Sequence, residues 1–255
     1  MKEKLKISIA EFDIQWENPQ ANREILDEML AGDQADLIVL PEMFNTGFSM
    51  NPDKVAEPAF GETFAWMKAL AENRNCAVAG TISTRENGSF FNRFYFVTPE
   101  TVRIYDKKHL FGYGSETEAY SSGNEIVSVA FQGWKFRLIT CYDLRFPVWC
   151  RNTDDYDVML CPASWPIARI KQWKALLKAR AIENMAYVIG VNRTGTDGYN
   201  LAYNGNSKVF DAIGMKLNLT ETETGMLTVE ISKDSIKNYR EKFGFLNDKD
   251  QFELT

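Results

Sequence analysis

Three segments of the 255-residue sequence put reactive side chains at or just beyond predicted strands: LPEMF carries Glu42, YDKKHLF carries Lys107, Lys108 and His109, and ITCYDLRFP carries Cys141. A thiol, a carboxylate and an ammonium make a sufficient set for acyl transfer, in which one group attacks, one moves protons and one steadies the developing oxyanion. His109 invites a different pairing, because histidine is the commonest base beside a catalytic thiol. It follows Lys107 by two residues. In an extended segment such side chains share a face without having to reach the same atom, so a structural hydrogen-bonding role is expected for His109.

The elements that must hold these groups follow from periodicity. Residues 5–12 alternate like a strand, and 20–31 carry an apolar stripe among charges, as a helix does. DLIVLPEMF, at 36–44, reads as a strand buried on both faces that stops at Pro41 and Glu42. A helix over 60–75, a strand over 76–84 and a hairpin turning at Pro99 and Glu100 come next. Strands at 126–131 and 135–140, turning near Gly133, run into Cys141. Beyond it lie a strand at 158–164 and a helix from Ala168 to Met185, with Ile170, Trp173, Leu176, Leu177 and Ala181 at near-helical spacing. Three further strand-like segments and a helix over 233–243 close the chain. Alternating strands and helices imply sheets covered by helices. Neither a repeat nor a low-complexity linker divides the sequence, so 1–255 is read as a single domain.

Composition excludes several function classes. At 45% hydrophobic and 25% charged, the sequence has the makings of a large core and fits neither disorder nor a collagen-like repeat. The net charge is −6 with no long basic run, so nucleic acid is not an expected partner. Cys76, Cys141, Cys150 and Cys161 are dispersed, with no CxxC pair, which speaks against a structural metal. Neither a signal-peptide pattern nor an apolar run long enough for a membrane span is present, and a cytoplasmic protein with free thiols is expected. Nucleotide cofactors lack support, because neither GxGxxG nor GxxxxGK[ST] occurs.

Together with CPASWP at 161–166 and KARAIENMAYVIGVNRTG at 178–195, the three reactive segments resemble the carbon–nitrogen hydrolase, or nitrilase, superfamily over nearly the whole chain. The resemblance implies an α/β fold, a four-layer α-β-β-α sandwich, and a Glu-Lys-Cys triad. Within it Glu42 matches the general base, Lys107 the lysine of the K-x-H-L pattern with Lys108 at the variable position, and Cys141 the nucleophile. Glu116, in GYGSETEAY, matches by position a second glutamate that orients the triad, with the neighbouring Glu118 as a rival. The finer pattern of LPEMFNTGF, YDKKHLF, CYDLRFPVW and SWP resembles the ω-amidase branch. That branch implies ω-amides of α-keto dicarboxylic acids as substrates, no cofactor or metal, and a homodimer.

The chemistry also stands without the family. A thiol with an ordinary pKa of about 8.5 is only partly ionised at neutral pH, so Glu42 would take its proton as it attacks an amide carbonyl. Lys107 and the backbone N–H of Tyr142, next after Cys141, would stabilise the oxyanion, and Glu42 would return the proton to departing ammonia. Water would then open the thioester with Glu42 again as base. Glu116 would accept a hydrogen bond from Lys107 and aim its ammonium. Arg145 would meet a substrate carboxylate or else pair with an acidic neighbour such as Asp143, and Trp165 would pack on the substrate's carbon chain. Arg180, Glu183 and Asn184 would fix the long helix beside the site, and Cys76, Cys150 and Cys161 would serve packing. Two other functions stay open at this point: a thiol hydrolase of a nitrile, carbamoylated amine or other linear amide, and an inactive binding or scaffold protein on the same fold.

Overall fold

The computed structural model describes residues 2–253, so Met1, Leu254 and Thr255 of the expected domain lie outside the described residues. The first half runs β1 (Lys4–Ile9), α1 (Pro19–Met29), β2 (Leu37–Val39), α2 (Pro52–Val55), β3 (Glu57–Pro58), α3 (Glu62–Arg74), β4 (Ala77–Glu86), β5 (Ser89–Val97) and β6 (Val102–Asp106). The second half begins with α4 (Glu116–Ala119), β7 (Ser128–Phe131), β8 (Trp134–Leu138), α5 (Pro147–Cys150), β9 (Val158–Ala163), α6 (Ile170–Asn184) and β10 (Tyr187–Asn192). It ends with β11 (Thr194–Thr196), β12 (Ala202–Asn204), β13 (Lys208–Phe210), β14 (Thr220–Glu221), β15 (Leu227–Ser232) and α7 (Lys233–Phe243).

Two large sheets and a two-stranded ribbon, β11-β12, follow from this order among the described residues. One has eight strands along the path β14-β15-β1-β2-β4-β5-β6, with β3 attached to β4; the other has five, in the order β13-β10-β9-β8-β7. Strand alternation sorts the side chains into layers. Leu5, Ile7 and Ile9 of β1, Leu37 and Val39 of β2, and Phe94 and Phe96 of β5 share a core with Phe136, Leu138, Val158 and Leu160 of the second sheet. From the opposite face of the first sheet, Ile38, Val78, Tyr95 and Val97 pack with Leu26 of α1 and with Met67, Leu70 and Ala71 of α3. Trp173, Leu177 and Ala181 of α6 cover the second sheet. The layer order is therefore α-β-β-α, as expected.

Local chemistry sets the crossovers. Pro19 opens α1 at a position where its missing N–H costs nothing, and the Asn18 side chain accepts a hydrogen bond from Ala21 N at 3.2 Å. Helices α3 and α6 end on left-handed residues, Asn75 (φ 50°) and Met185 (φ 46°), which turn the chain straight into β4 and β10. Pairing of β2 with β4, β8 with β9, and β9 with β10 is parallel. Residues just past the ends of such strands gather at one edge of the sheets, where open α/β folds bind ligands. At Gly190 of β10 an added Cβ would come within 2.5 Å of Leu177 and 2.7 Å of Trp173, so only glycine lets α6 lie this close. The short elements α2, α4, α5, β3, β11, β12 and β14 were not expected from periodicity; pieces of two to four residues are too short to display a period.

Candidate active site

Glu42 stands three residues beyond β2 and is fully buried. Its Oε1 accepts hydrogen bonds from Lys107 Nζ at 2.9 Å and Asn92 Nδ2 at 2.8 Å, and its Oε2 accepts from Ser164 N at 2.9 Å. Lys107, directly after β6, is also fully buried and donates to Glu116 Oε2 at 2.8 Å and Oε1 at 3.0 Å. Two carboxylates therefore flank one ammonium. Burial by itself would lower the lysine pKa, but Glu116 and Glu42 outweigh that and hold it above its ordinary value, so Lys107 stays charged at any physiological pH. Burial, relieved only in part by Lys107 and reinforced by Glu42, raises the carboxyl of Glu116.

Glu116 reaches Lys107 because α4 starts there, and its Oε2 also accepts from Phe111 N at 2.6 Å. Glu118, on the other side of the same short helix, is exposed. The structure thus brings Glu116, not its rival, to the lysine.

Cys141 follows β8 at the head of a short 3-10 turn, Cys141–Arg145, and has a φ of 42°. Such a conformation is unfavourable for a residue with a side chain and is retained where the surroundings over-determine it. Those surroundings are visible. Asp143 Oδ2 accepts from Thr140 N at 2.9 Å and Tyr105 Oη at 2.7 Å, while its Oδ1 accepts from His109 N at 2.9 Å and contacts His109 Nδ1 at 2.8 Å. From the other side, Arg180 of α6 donates to the Leu144 carbonyl from Nε and Nη2, at 3.1 and 2.7 Å. One carboxylate consequently fastens the lysine segment to the cysteine turn, and one guanidinium fastens the turn to α6. His109 takes the structural part expected of it, stacked on Phe146 with ring centroids 3.6 Å apart.

Burial pushes the Cys141 thiol well above the ordinary thiol range, Glu42 raises it further, and Lys107 offsets only part of the rise. These surroundings favour the protonated thiol of Cys141, with the Glu42 side chain beside it. The N–H groups opening a helical turn have no acceptor within the turn, and Tyr142 N–H, next after Cys141, is one of these.

A cavity of about 470 Å³ opens over this centre, lined by Glu42, Lys107 and Cys141 together with Tyr142, Arg145 and Trp165. The predicted residues are brought together there, with Glu116 directly behind Lys107. Arg145 does not pair with Asp143; its guanidinium binds Gln172 Oε1 and lies 4.9 Å from the Trp165 ring centroid. Trp165 is fixed by its backbone N–H to Asn192 Oδ1 at 2.7 Å and by its indole N–H to the Arg169 carbonyl at 2.9 Å. Among the described residues no group of three or more His, Cys, Asp or Glu side chains could hold a metal, and no helix is long and apolar enough to cross a membrane.

Sequence reasoning missed Asn92. This β5 residue is fully buried, and its amide donates to Glu42 Oε1 at 2.8 Å and to Glu116 Oε1 at 2.9 Å, bridging both carboxylates. An asparagine beside Arg93 within the aromatic run FFNRFYFV was the available signal.

A two-sheet sandwich with a half-buried cysteine, a buried lysine and two buried glutamates gathered at one edge defines a class, and residues 6–241 match the carbon-nitrogen hydrolase family: the chain belongs to that family, in its ω-amidase branch. It is 41% identical to the ω-amidase YafV of Escherichia coli strain K12 over 98% of both chains. It is 32% identical to a 2-oxoglutaramate amidase of Bacillus subtilis, covering 96% of this chain and 97% of that one. Among solved structures, XC1258 of Xanthomonas campestris, a CN-hydrolase superfamily protein with an arsenic adduct in its active site, superposes with a TM-score of 0.95 over all of both chains at 38% identity.

Proposed function

We propose that this amidase hydrolyses the terminal amide of a small α-keto dicarboxylic acid monoamide, such as α-ketoglutaramate, to the acid and ammonia. The observation that carries the reading is the convergence of Glu42, Lys107 and Cys141 on the floor of a cavity whose wall also carries Arg145. The relatives named ω-amidase and 2-oxoglutaramate amidase support the substrate class.

In this mechanism Cys141 Sγ attacks the amide carbonyl while its proton passes to Glu42. Lys107 and Tyr142 N–H meet the oxyanion, and Glu42 returns the proton to the nitrogen as the C–N bond breaks. Ammonia leaves behind a thioester. Water then attacks the thioester, giving its proton to Glu42, and the acid departs as the thiol is restored. Glu116 and Asn92 act by holding Lys107 and Glu42 in place, and misplacement by 1 Å can cost about 10²-fold in rate. Arg145 takes the substrate carboxylate and Trp165 lies along the carbon chain. Every group that moves a proton belongs to the chain itself, so the proposal needs no cofactor. It includes assembly as a homodimer and residence in the cytoplasm, where Cys76, Cys141, Cys150 and Cys161 would remain the free thiols seen here.

Ammonia release from α-ketoglutaramate, with glutamine, a simple aliphatic amide and a nitrile alongside, tests the reading. Wild-type protein should prefer the keto-acid amide, and Cys141→Ala should lose at least about 10³-fold in kcat while keeping its fold. Near-normal turnover in that variant would sink the nucleophile assignment; preference for the nitrile would move the substrate class.

A further inference from the structure

The cavity carries a second guanidinium that the mechanism leaves unused. Arg169 ends the 3-10 turn Ile167–Arg169 just ahead of α6 and lines the same cavity as Cys141 and Arg145. Its backbone is pinned from both sides, the N–H bonding to the Pro166 carbonyl at 3.0 Å and the carbonyl accepting the Trp165 indole N–H. Its guanidinium lies 5.2 Å from the Phe111 ring centroid. Trp165 therefore stands between the two arginines, carrying Arg145 on its ring and holding Arg169 by its N–H.

The carboxylates lining the cavity are committed elsewhere. Glu42 is paired with Lys107, and Asp197 accepts from Tyr203 Oη, Tyr199 N and Leu201 N. Both guanidiniums thus rest on aromatic faces. A planar, weakly hydrated cation held this way presents its remaining N–H groups as a fork that matches a carboxylate.

Resting on the amidase reading and deepening it, we infer that Arg169 is a specificity-determining residue which, with Arg145, clamps the anionic end of the substrate. A single arginine would bind a carboxylate; two on separate elements also fix where the far end of the chain lies, and so which amide reaches Cys141. The selected class is the monoamide of a dicarboxylic acid, at the expense of neutral amides of the same length.

The test is calorimetric binding of succinamate and of neutral butanamide to Cys141→Ala protein, alone and with Arg169→Met or Arg169→Lys added. Succinamate affinity should fall at least about tenfold with Met and recover in part with Lys, while butanamide affinity stays level. Equal losses for both ligands, an unchanged succinamate affinity, or no preference for succinamate in the parent protein would each overturn the inference. Binding to the cysteine variant needs no turnover. Failure of wild-type protein to release ammonia would therefore fall on the amidase reading alone and leave the role of Arg169 to be decided by the binding data.

Discussion

Asn92 shows how much of a candidate active site can hang on a side chain that does not line its cavity. Its amide is the shared donor between two buried carboxylates, each already engaged by Lys107. Hydrogen bonds to charged groups contribute about 1.5–3 kcal/mol, and a buried acceptor left without its donor bears the desolvation cost in full. Asn92→Ala should therefore lower kcat by roughly ten- to a hundredfold with little change in KM, since Asn92 is not among the cavity residues. Steady-state ammonia release decides it; a KM effect at constant kcat would assign Asn92 to substrate binding instead. The candidate residues Glu42, Lys107 and Cys141 were legible in sequence because each sits in a local motif just past a strand. Asn92 and Arg169 were not, because their partners lie 50 and 58 positions away in Glu42 and Phe111, and only the tertiary fold brings them together.

At the scale of elements, the strands and long helices were readable because each is long enough to show its period. The sharp turns that aim the residues were less so. Cys141 adopts its left-handed conformation because Asp143 and Arg180 hold the turn from two sides, a constraint that no propensity of Cys141 itself encodes. Packing between α6 and the second sheet is the element-level device that brings Arg180 close enough, and it passes through Gly190. Gly190→Ala would drive a methyl into the rigid Trp173 ring as well as the more yielding Leu177. Overpacking of this kind costs about 1–3 kcal/mol, and a urea midpoint lowered to match is the expected result. Because the shift displaces α6, activity should fall further than stability alone explains at temperatures where the variant remains folded.

Taken as a whole, the molecule keeps its thiols neutral. Burial raises Cys76 from 9.0 to about 11 and Cys150 from 9.0 to about 12. Unfolded chains release these protons near pH 9, whereas the folded protein retains them until its own higher values, so in that interval the unfolded state binds fewer protons and stability falls as pH rises. For Cys76 the window runs from about 9 to about 11. Denaturant midpoints should decline across it, and Cys76→Ala should show a shallower decline, by up to about 3 kcal/mol at the upper end. An equally steep decline in the variant would mean that Cys76 does not drive it.

Cys141 belongs to the same pattern, and there the consequence reaches beyond folding. Oxidants and alkylating agents react with thiolates, and burial, reinforced by Glu42 and only partly offset by Lys107, holds the Cys141 sulfur in its protonated form. The resting enzyme is in this sense latched against accidental chemistry. Hydrogen peroxide at neutral pH should oxidise Cys141 more slowly than it oxidises a free small-molecule thiol, and an equal or faster rate would show that the surroundings do not shield the sulfur.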